Sequence, residues 1–377
     1  MTTPYEAHRR ILLCATGMSP QIVTETLYAL AVKPKAGFLP WIPDEIHLIS
    51  TSTGAAQARL NLLSTTLGWF YTLCRDYDLP AIHFSNDTIH VIQDEDGNDL
   101  ADIRSLNDNE AAANSIAALV RRLSVDEHSE LHVSLAGGRK TMGYYLGYAL
   151  SLYGRPHDAL SHVLVSDGFE GHPSFYYPTP TERIIHTRDN KAINCADAVV
   201  ELANIPFVRL RDGLPQRLLD GKAGFTETVE VANLAQGEAH LCIHKSARSV
   251  TVNGLVVSLT ETQFPLLLWF AQRALGGHPE IRWSDYAEWH DDYLPLLIDV
   301  YGDMHTVIER AEKALPKNTD YDPQIVREYF QPTLSKLKKA LKDDLGGVLA
   351  SRCAIQKTDK GQASGYRLPA DLKITID

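Results

Sequence analysis

The chain has 377 residues, too many for one ordinary domain and enough for two, each with a sizeable core. Hydrophobic residues make up 44% and charged residues 22%, as in soluble globular proteins. The net charge of −11 gives no indication of nucleic-acid binding by the chain as a whole, so such contacts need a local basic patch. Five scattered cysteines without a CxxC pair argue against a disulfide framework and a cysteine-built zinc site.

The first half of the chain alternates short β-like runs with longer helical patterns. Strands are predicted at residues 11–15, 45–50, 81–84, 130–135 and 160–165. Helices are predicted at residues 21–31, 54–75, 109–123 and 140–153. The turn signal Asp96-Gly97 predicts a hairpin within residues 88–103. Because strands that alternate with helices indicate parallel βαβ units, residues 1–205 are predicted to form a doubly wound, Rossmann-like α/β domain.

The pattern changes after about residue 173. An edge hairpin at residues 176–188 and a short helix at residues 196–203 are predicted before a linker at residues 206–224. Residues 225–377 are then predicted to form an α+β domain. Its predicted strands are residues 229–231, 241–244, 250–252 and 256–259, and its last hairpin is residues 354–376.

Two signals in this second domain are specific. Asn253-Gly254 marks a hairpin turn between the last two of those strands. The hydroxyl of Thr260 is predicted to cap a helix over residues 261–274, because it can accept from an otherwise unpaired amide.

Two glycine-bearing loops carry the strongest functional signal. Residues 16–20 (TGMSP) leave the first predicted strand, and residues 134–142 (SLAGGRKTM) leave the strand at 130–135 and open a helix. In a parallel sheet, ligands bind beyond the carboxyl ends of the strands, where the strand order reverses. Gly137 and Gly138 permit positive φ and close backbone approach, and a helix N-terminus with Arg139 and Lys140 favours an anion. The loops therefore predict a phosphodiester site.

The alternative explanation is structural. Glycine pairs after strands often serve tight strand–helix packing, and Ser19 before Pro20 is suited to capping the next helix. Neither loop matches the Walker A pattern or the GxGxxG dinucleotide fingerprint.

The two motifs together resemble the CARF domain (CRISPR-associated Rossmann fold), and in particular its ring-nuclease branch with a GGRK[S/T]M-type motif. The resemblance covers about residues 8–200. It implies a homodimer in which the loops of both subunits form one pocket for cyclic tetra-adenylate or a related cyclic oligoadenylate of a type III CRISPR system. It also implies that such a ring is destroyed to end a second-messenger signal.

The residue types fit metal-independent cleavage of such a ring by its own 2′-hydroxyls. Lys140 is the candidate for stabilising the phosphorane, and Ser19 is the second candidate catalytic residue. Further ligand contacts are expected from residues of the same two loops, namely Thr16, Gly17, Met18, Ser134, Gly137, Gly138, Arg139 and Thr141. No general base is evident, so cleavage should be slow. Binding without cleavage stays open, as does a ring of four or six adenylates.

Metals and cofactors are not expected. The fifteen histidines include no HExxH motif, and His83, His90, His128 and His132 lie on different predicted elements. His157, His162 and His172 lie nearer the expected ligand edge. Glu6, His8, Arg9 and Arg10 precede only a short apolar run, which predicts no signal peptide. Because no window reaches about 18 apolar residues, no membrane span is expected and a cytoplasmic location is predicted.

The predicted second domain resembles a winged helix-turn-helix of the response-regulator type. The resemblance rests on residues 250–260 and 264–269 and on a wing-like ending at residues 365–368, while residues 276–322 are longer than that family usually carries. Residues 327–373 hold ten Lys or Arg against five Asp or Glu. Four lysines lie on one predicted helix and are candidates for DNA phosphate contacts or for a solvated helix face, namely Lys336, Lys338, Lys339 and Lys342.

Two rival functions stay open. The first is a transcription factor that binds the ring without cutting it and contacts DNA through the winged helix. The second is a HEPN-type ribonuclease, because Arg273 and His278 match its RxxxxH motif. The pair Gly276-Gly277 should end the helix that this motif requires.

Overall fold

The computed structural model describes residues 9–34, 37–66, 68–315, 322–358 and 364–377. The chain divides into two compact units, Met1–Arg211 and Asp212–Asp377. This boundary falls within residues 206–224, the segment predicted as a linker. None of the helices in the described ranges combines the length and apolar character needed to cross a bilayer.

The strands of the first unit are β1 (Arg9–Ala15), β2 (Glu45–Ser50), β3 (Ile89–Val91), β4 (Ser129–Ser134), β5 (Ala159–Val165), β6 (Ile184–His186), β7 (Ala192–Asn194) and β8 (Val200–Asn204). In the described part of the chain, six of them form one sheet with the strand order β3-β2-β1-β4-β5-β8, and β6 and β7 form a separate hairpin. Its helices are α1 (Gln21–Leu27), α2 (Ser52–Leu62), α3 (Trp69–Asp76), α4 (Leu106–Leu123) and α5 (Lys140–Tyr153). A π-helical turn, Tyr28–Val32, continues α1.

The sheet is parallel except at one edge, where β8 runs antiparallel to β5. Residues 11–15 are buried throughout, because a central parallel strand is covered on both faces and therefore reads as a continuous apolar run. The predicted doubly wound α/β fold is confirmed. Chain order reverses between β1 and β4, which are direct neighbours paired from Arg9–Ser129 to Cys14–Ser134.

Four predicted elements of this unit are wrong. The edge hairpin predicted at residues 176–188 is formed instead by β6 and β7, within residues 184–194. Residues 81–84 form only a bridge between His83 and Glu45, and the third strand is β3, paired with the end of β2. The second half of the helix predicted at residues 196–203 belongs to strand β8, because pairing with β5 outweighs local helix propensity. The helix predicted at 54–75 is two helices, α2 and α3, separated by a Ser-Thr-Thr segment that favours turns over helix.

The second unit contains a four-stranded sheet and a two-stranded hairpin in its described residues. Its strands are β9 (His240–His244), β10 (Ser249–Val252), β11 (Leu255–Val257), β12 (Gln356–Lys357), β13 (Tyr366–Arg367) and β14 (Lys373–Ile376). Its helices are α6 (Gln216–Leu219), α7 (Phe225–Leu234), α8 (Gln263–Leu275), α9 (Tyr286–Glu288), α10 (Leu294–Tyr301), α11 (Thr306–Ala314) and α12 (Pro323–Cys353). Non-helical backbone at Gly346 kinks α12.

This unit has the predicted α+β composition, with differences in detail. The turn at Asn253 and Gly254 joins β10 and β11 as predicted. Residues 229–231 lie in α7 instead of a strand, because Phe225, Thr228, Val231 and Ala232 are buried at helical spacing. The terminal hairpin is formed by β12 and β13, and β14 pairs with β9 in parallel. The predicted tip of the hairpin, residues 359–361, lies outside the described residues.

The predicted cap of α8 is also different. The hydroxyl of Thr260 contacts that of Thr262 at 3.3 Å, and the carbonyl of Thr260, not its hydroxyl, accepts the amide of Phe264. The helix begins at Gln263, whose side chain accepts from the Thr260 amide at 2.8 Å. The winged-helix assignment of the unit stays a prediction.

Candidate functional site

Two loops meet at the carboxyl edge of the first unit's sheet, where chain order reverses. Residues 16–20 follow β1 and residues 135–139 follow β4. They touch directly, since a Cβ built on Gly17 would lie 3.5 Å from Cα of Gly138. This is the crevice in which parallel α/β sheets bind ligands.

The two glycines of the second loop have different reasons to be glycine. At Gly137 a Cβ would lie 2.3 Å from the carbonyl oxygen of Ala15, so only glycine permits this approach of the two loops. At Gly138 the backbone has φ of 77°, a conformation that residues with a side chain rarely adopt. The pair therefore fixes the shape of the crevice.

Ser19 and Lys140 are both exposed; Ser19 belongs to the loop after β1, and Lys140 is the first residue of α5, next to Arg139 of the second loop. Lys140 begins α5, and Arg139 before it provides no side-chain cap. The Met142 amide donates to the carbonyl of Arg139 at 2.9 Å, which leaves the amides of Lys140 and Thr141 available to an anion. Within the described residues, neither the Ser19 hydroxyl nor the Lys140 ammonium group has a hydrogen-bond or ion-pair partner. Met18 and Thr141 are also exposed, and Gly17 and Gly137 are half-buried.

The alternative role of Ser19 as a helix cap is wrong. Pro20 occupies the N-cap position of α1, and no side-chain hydrogen bond caps the helix. Pro20 is therefore not the first helical residue, and the hydroxyl of Ser19 is left at the surface of the crevice.

The structure does not bring Thr16 or Ser134 to the surface of the crevice. Thr16 is fully buried; its amide donates to the carbonyl of Ile49 at 3.1 Å, and its carbonyl accepts from the hydroxyl of Ser50 at 2.6 Å. The hydroxyl of Ser134 pairs with that of Thr26 at 3.1 Å. In this conformation both predicted ligand residues tie β1 and β4 to their neighbours.

A cavity of about 700 Å³ opens on one side of the touching loops. Arg139 lines it and is held by Asp102, with Nε 3.1 Å from Oδ1 and Nη2 2.5 Å from Oδ2. Arg104 also donates to Asp102, at 3.0 Å. The hydrogen bonds from Arg139 and Arg104 hold the pKa of Asp102 far below its ordinary value, so the carboxylate stays ionised.

A second, smaller cavity of about 290 Å³ lies on the other side of the loops and shares Gly17, Met18 and Gly138 with the first. It is lined by Ser19 and by the buried polar residues Gln21 and Glu25 of α1. Burial, reinforced by the nearby charge of Glu170, raises the pKa of Glu25 to about 8. The Glu25 carboxyl is therefore mostly protonated at neutral pH.

Asp102, Arg104, Gln21, Glu25 and Glu170 are absent from the sequence-based site. One available signal was position, since any segment that follows a parallel strand ends at the same edge of the sheet. Asp99, Asp102 and Arg104 follow β3 and line the larger cavity, but the turn signal in the sequence predicts only a hairpin over residues 88–103. Glu25 lies in α1, which is buried on nearly all sides, and its burial leaves no comparable signal in the sequence.

The histidines do not gather into a metal site. Within the described residues, no group of three or more His, Cys, Asp or Glu side chains is arranged to hold a metal ion. His90 stacks on His47, with 2.9 Å between ring nitrogens, and burial lowers its pKa to about 4. His132 is buried against the hydroxyl of Ser161 at 2.7 Å. Of the histidines predicted near the ligand edge, His162 lines the smaller cavity.

The second unit places its predicted residues on α12 and α8. Lys336, Lys338, Lys339 and Lys342 are exposed and have no ion-pair partner among the described residues, while Leu334, Leu337, Leu341 and Leu345 bury the opposite face of α12. A groove of about 780 Å³ beside this helix is lined by Arg327, Lys338 and Lys357.

The RxxxxH match has a structural explanation in this unit. Helix α8 ends at Leu275, before Gly276, as predicted. Arg273 is buried and paired with Glu288, and its Nη2 donates to the carbonyl of Pro279 at 3.1 Å. These contacts assign Arg273 to the core of the unit and do not support a HEPN nuclease.

Part of the chain matches a known protein family. Residues 19–239 match the family described as "CRISPR-associated protein NE0113 (Cas_NE0113)", which is more than half of the chain. A solved structure, Enterococcus italicus Csm6 bound to cyclic hexa-2'-fluoro-hexa-dAMP, is similar at 12% identity and a TM-score of 0.30, covering 89% of this chain and 67% of that one. No curated protein sequence matches the chain significantly.

Proposed function

Because the chain belongs to the Cas_NE0113 family of CRISPR-associated proteins, we propose that its first unit is a ring nuclease that binds and cleaves cyclic tetra-adenylate in the cytoplasm. One observation carries the proposal: beside the contact between the two loops, no described residue pairs with the Ser19 hydroxyl or the Lys140 ammonium group, and the N-terminus of α5 has no side-chain cap. The resemblance of those loops to the ring-nuclease branch of CARF domains supports the same substrate.

The reaction follows from the chemistry of the ring. A ribose 2′-oxygen attacks the adjacent phosphorus, the P–O2′ bond forms, and the P–O5′ bond breaks. The 2′-hydroxyl loses its proton and the departing 5′-oxygen gains one, so no water is consumed. Two such events convert cyclic tetra-adenylate into two linear di-adenylates that end in 2′,3′-cyclic phosphates.

The residues at the crevice supply position and charge for this step. Lys140 stabilises the negative charge that develops on the non-bridging phosphate oxygens, with the N-terminus of α5 beside it. Ser19, in the loop that follows β1, orients the ribose or phosphate so that the 2′-oxygen is in line with the leaving oxygen. Arg139, held by Asp102, adds a fixed positive charge next to a second phosphate.

Two copies of the chain are proposed to form one symmetric site. A ring of four adenylates carries four phosphates, whereas one copy of the chain provides one Ser19 and one Lys140. Two crevices facing each other would give each of two opposite phosphodiesters its own pair.

The test is to incubate the purified protein with cyclic tetra-adenylate in EDTA and to separate the products by chromatography. Linear di-adenylate with a 2′,3′-cyclic phosphate end supports the nuclease. An intact ring that binds tightly supports a sensor instead. Absence of binding contradicts the assignment of the site.

A ring-gated transcriptional regulator is the second candidate function. The observation in its favour is the row of exposed, unpaired lysines on α12, which borders a groove lined by further basic residues. Such a row can neutralise DNA phosphates without reading bases. In this case the ring would be bound in the first unit without being cut.

A further inference from the structure

The smaller cavity beside Ser19 has a different character from the larger one. Arg139 and Arg104 line the larger cavity, whereas the ionisable side chains that line the smaller one are Glu25, Glu170 and His162, with no Lys or Arg among its described lining residues. A phosphate is therefore disfavoured there. Its volume of about 290 Å³ is at the lower end for small-molecule sites, near ~300 Å³, and suits a group of the size of one nucleobase.

Two buried polar side chains of α1 line this cavity, and the described residues do not satisfy their hydrogen-bonding capacity. Gln21 and Glu25 are one helical turn apart and are 8% and 7% exposed. The Oε1 atom of Gln21 is buried and has no hydrogen-bond partner among the described residues, and the Gln21 Nε2 reaches the carbonyl of His172 only at 3.5 Å. Glu25 makes no hydrogen bond to any described residue. Buried polar atoms are normally paired, so this arrangement points to a missing ligand.

The protonation state of Glu25 defines the hydrogen-bonding pattern of the pair. Burial and the charge of Glu170, which approaches from the segment after β5, raise the pKa of Glu25 to about 8. His162 of β5 is the other titratable group that faces the cavity. At neutral pH the carboxyl is therefore mainly a donor, while Gln21 Oε1 is an acceptor.

We propose that Gln21 and Glu25 read the adenine base of the ring, with the Glu25 carboxyl donating to the ring nitrogen N1 and Gln21 Oε1 accepting from the N6 amino group. This inference rests on the proposed function, because it assigns a base of the same ligand to the cavity next to Ser19. Adenine presents an acceptor and a donor side by side on this edge. Hypoxanthine presents the reverse order, a donor at N1 and an acceptor at position 6, and would place donor against donor.

The experiment is a calorimetric titration of the full chain with cyclic tetra-adenylate and with cyclic tetra-inosinate, at about pH 7 and about pH 9. The wild-type affinity for the adenylate ring should fall by about tenfold over this interval, because only about a tenth of Glu25 stays protonated at the higher pH. E25Q keeps a neutral donor of the same shape, so its affinity for the adenylate ring should change by less than about twofold between about pH 7 and about pH 9.

Two further variants separate base reading from general damage. E25L should bind the adenylate ring about 10- to 100-fold more weakly at neutral pH and lose the preference for adenylate over inosinate. E170Q is the matched control: it keeps Glu25, so the pH dependence should persist with its midpoint moved to lower pH. Circular dichroism confirms that each variant is folded.

The outcomes distinguish this inference from the proposed function. If wild type and E25Q bind the ring with the same pH dependence, or if E25L keeps the preference for adenylate, the base-reading role is overturned while ring binding still stands. If folded wild-type protein binds neither ring, the proposed function fails and the base-reading role fails with it.

Discussion

Asp102 sets the charge that the candidate site presents to a phosphate. Its carboxylate takes two hydrogen bonds from Arg139 and one from Arg104, so it offsets positive charge next to the crevice. Exposed pairs of this kind contribute little to stability, roughly 0–1 kcal/mol, and the effect of Asp102 on a bound anion should dominate.

We therefore expect D102N to bind cyclic tetra-adenylate about three- to tenfold more tightly at low salt, with a steeper loss of affinity as salt is added. Titrations at two salt concentrations measure both effects. R104A, which removes one of the cations instead, should weaken binding. Weaker binding by D102N would contradict the prediction and show that Asp102 acts by holding Arg139 in position.

The buried carboxyl of Glu25 should also affect how the stability of the protein depends on pH. Its folded pKa of about 8 lies above the ordinary value of 4.5, so the folded state binds a proton that the unfolded state releases between these values. The free energy of unfolding should therefore fall as pH rises through this window. E25Q has no such proton to lose and should be the more stable protein above about pH 8, by up to a few kcal/mol.

Urea denaturation of wild type and E25Q at several pH values measures this difference. The difference between the two proteins, rather than either curve alone, isolates Glu25 from other titrating groups. Parallel pH profiles for the two proteins would show that the buried carboxyl is not protonated in the folded state.

At the scale of elements, the contact between the two loops depends on Gly137. A Cβ at this position would collide with the carbonyl oxygen of Ala15, which is fixed in the central strand β1. G137A should therefore destabilise the first unit by about 1–3 kcal/mol and weaken ring binding as the loops separate.

Gly147 of α5 provides the matched control. A Cβ there meets its nearest side chain at an ordinary 3.7 Å, and alanine favours the helix interior. G147A should be neutral or slightly stabilising and should bind the ring as wild type does. Equal thermal stability and equal ring affinity for G137A and G147A would contradict the role assigned to the loop contact.

Some elements of the fold can be predicted from the sequence, whereas others are decided by tertiary packing. Helices α4 and α5 and strands β1, β2, β4 and β5 are predictable because their apolar periodicity and flanking turn residues agree. Strand β8 and helix α7 are not, because pairing with β5 and burial of one helical face decide them. Likewise Ser19, Arg139 and Lys140 are identifiable from a local motif, whereas Asp102 and Glu25 join the site only through the fold.

At the scale of the whole molecule, the lysines of α12 decide between the two candidate functions. If the second unit binds DNA, replacing Lys336, Lys338, Lys339 and Lys342 together by Gln should greatly weaken binding to a labelled duplex. The slope of log affinity against log salt should become smaller by about three to four. The lysines lie on the solvent face of α12, so folding should be unaffected.

Lys245 and Lys373 are suitable controls, because they are lysines of the same unit whose charges are shared with Asp299 and Glu238. Replacing them by Gln should change DNA affinity little. Wild-type protein that binds no DNA, with or without the ring, would contradict the regulator and leave the nuclease.

The most direct test of the central claim is the rate at which wild type and K140A convert cyclic tetra-adenylate in EDTA, with K191A as control. Lys191 is an exposed lysine of the same unit that precedes β7 and lies outside both glycine-bearing loops. Wild type and K191A should both give linear di-adenylate with a 2′,3′-cyclic phosphate end, and K140A should do so at a rate at least about 100-fold lower. An intact ring with wild-type protein, or equal rates for all three proteins, would contradict the nuclease assignment.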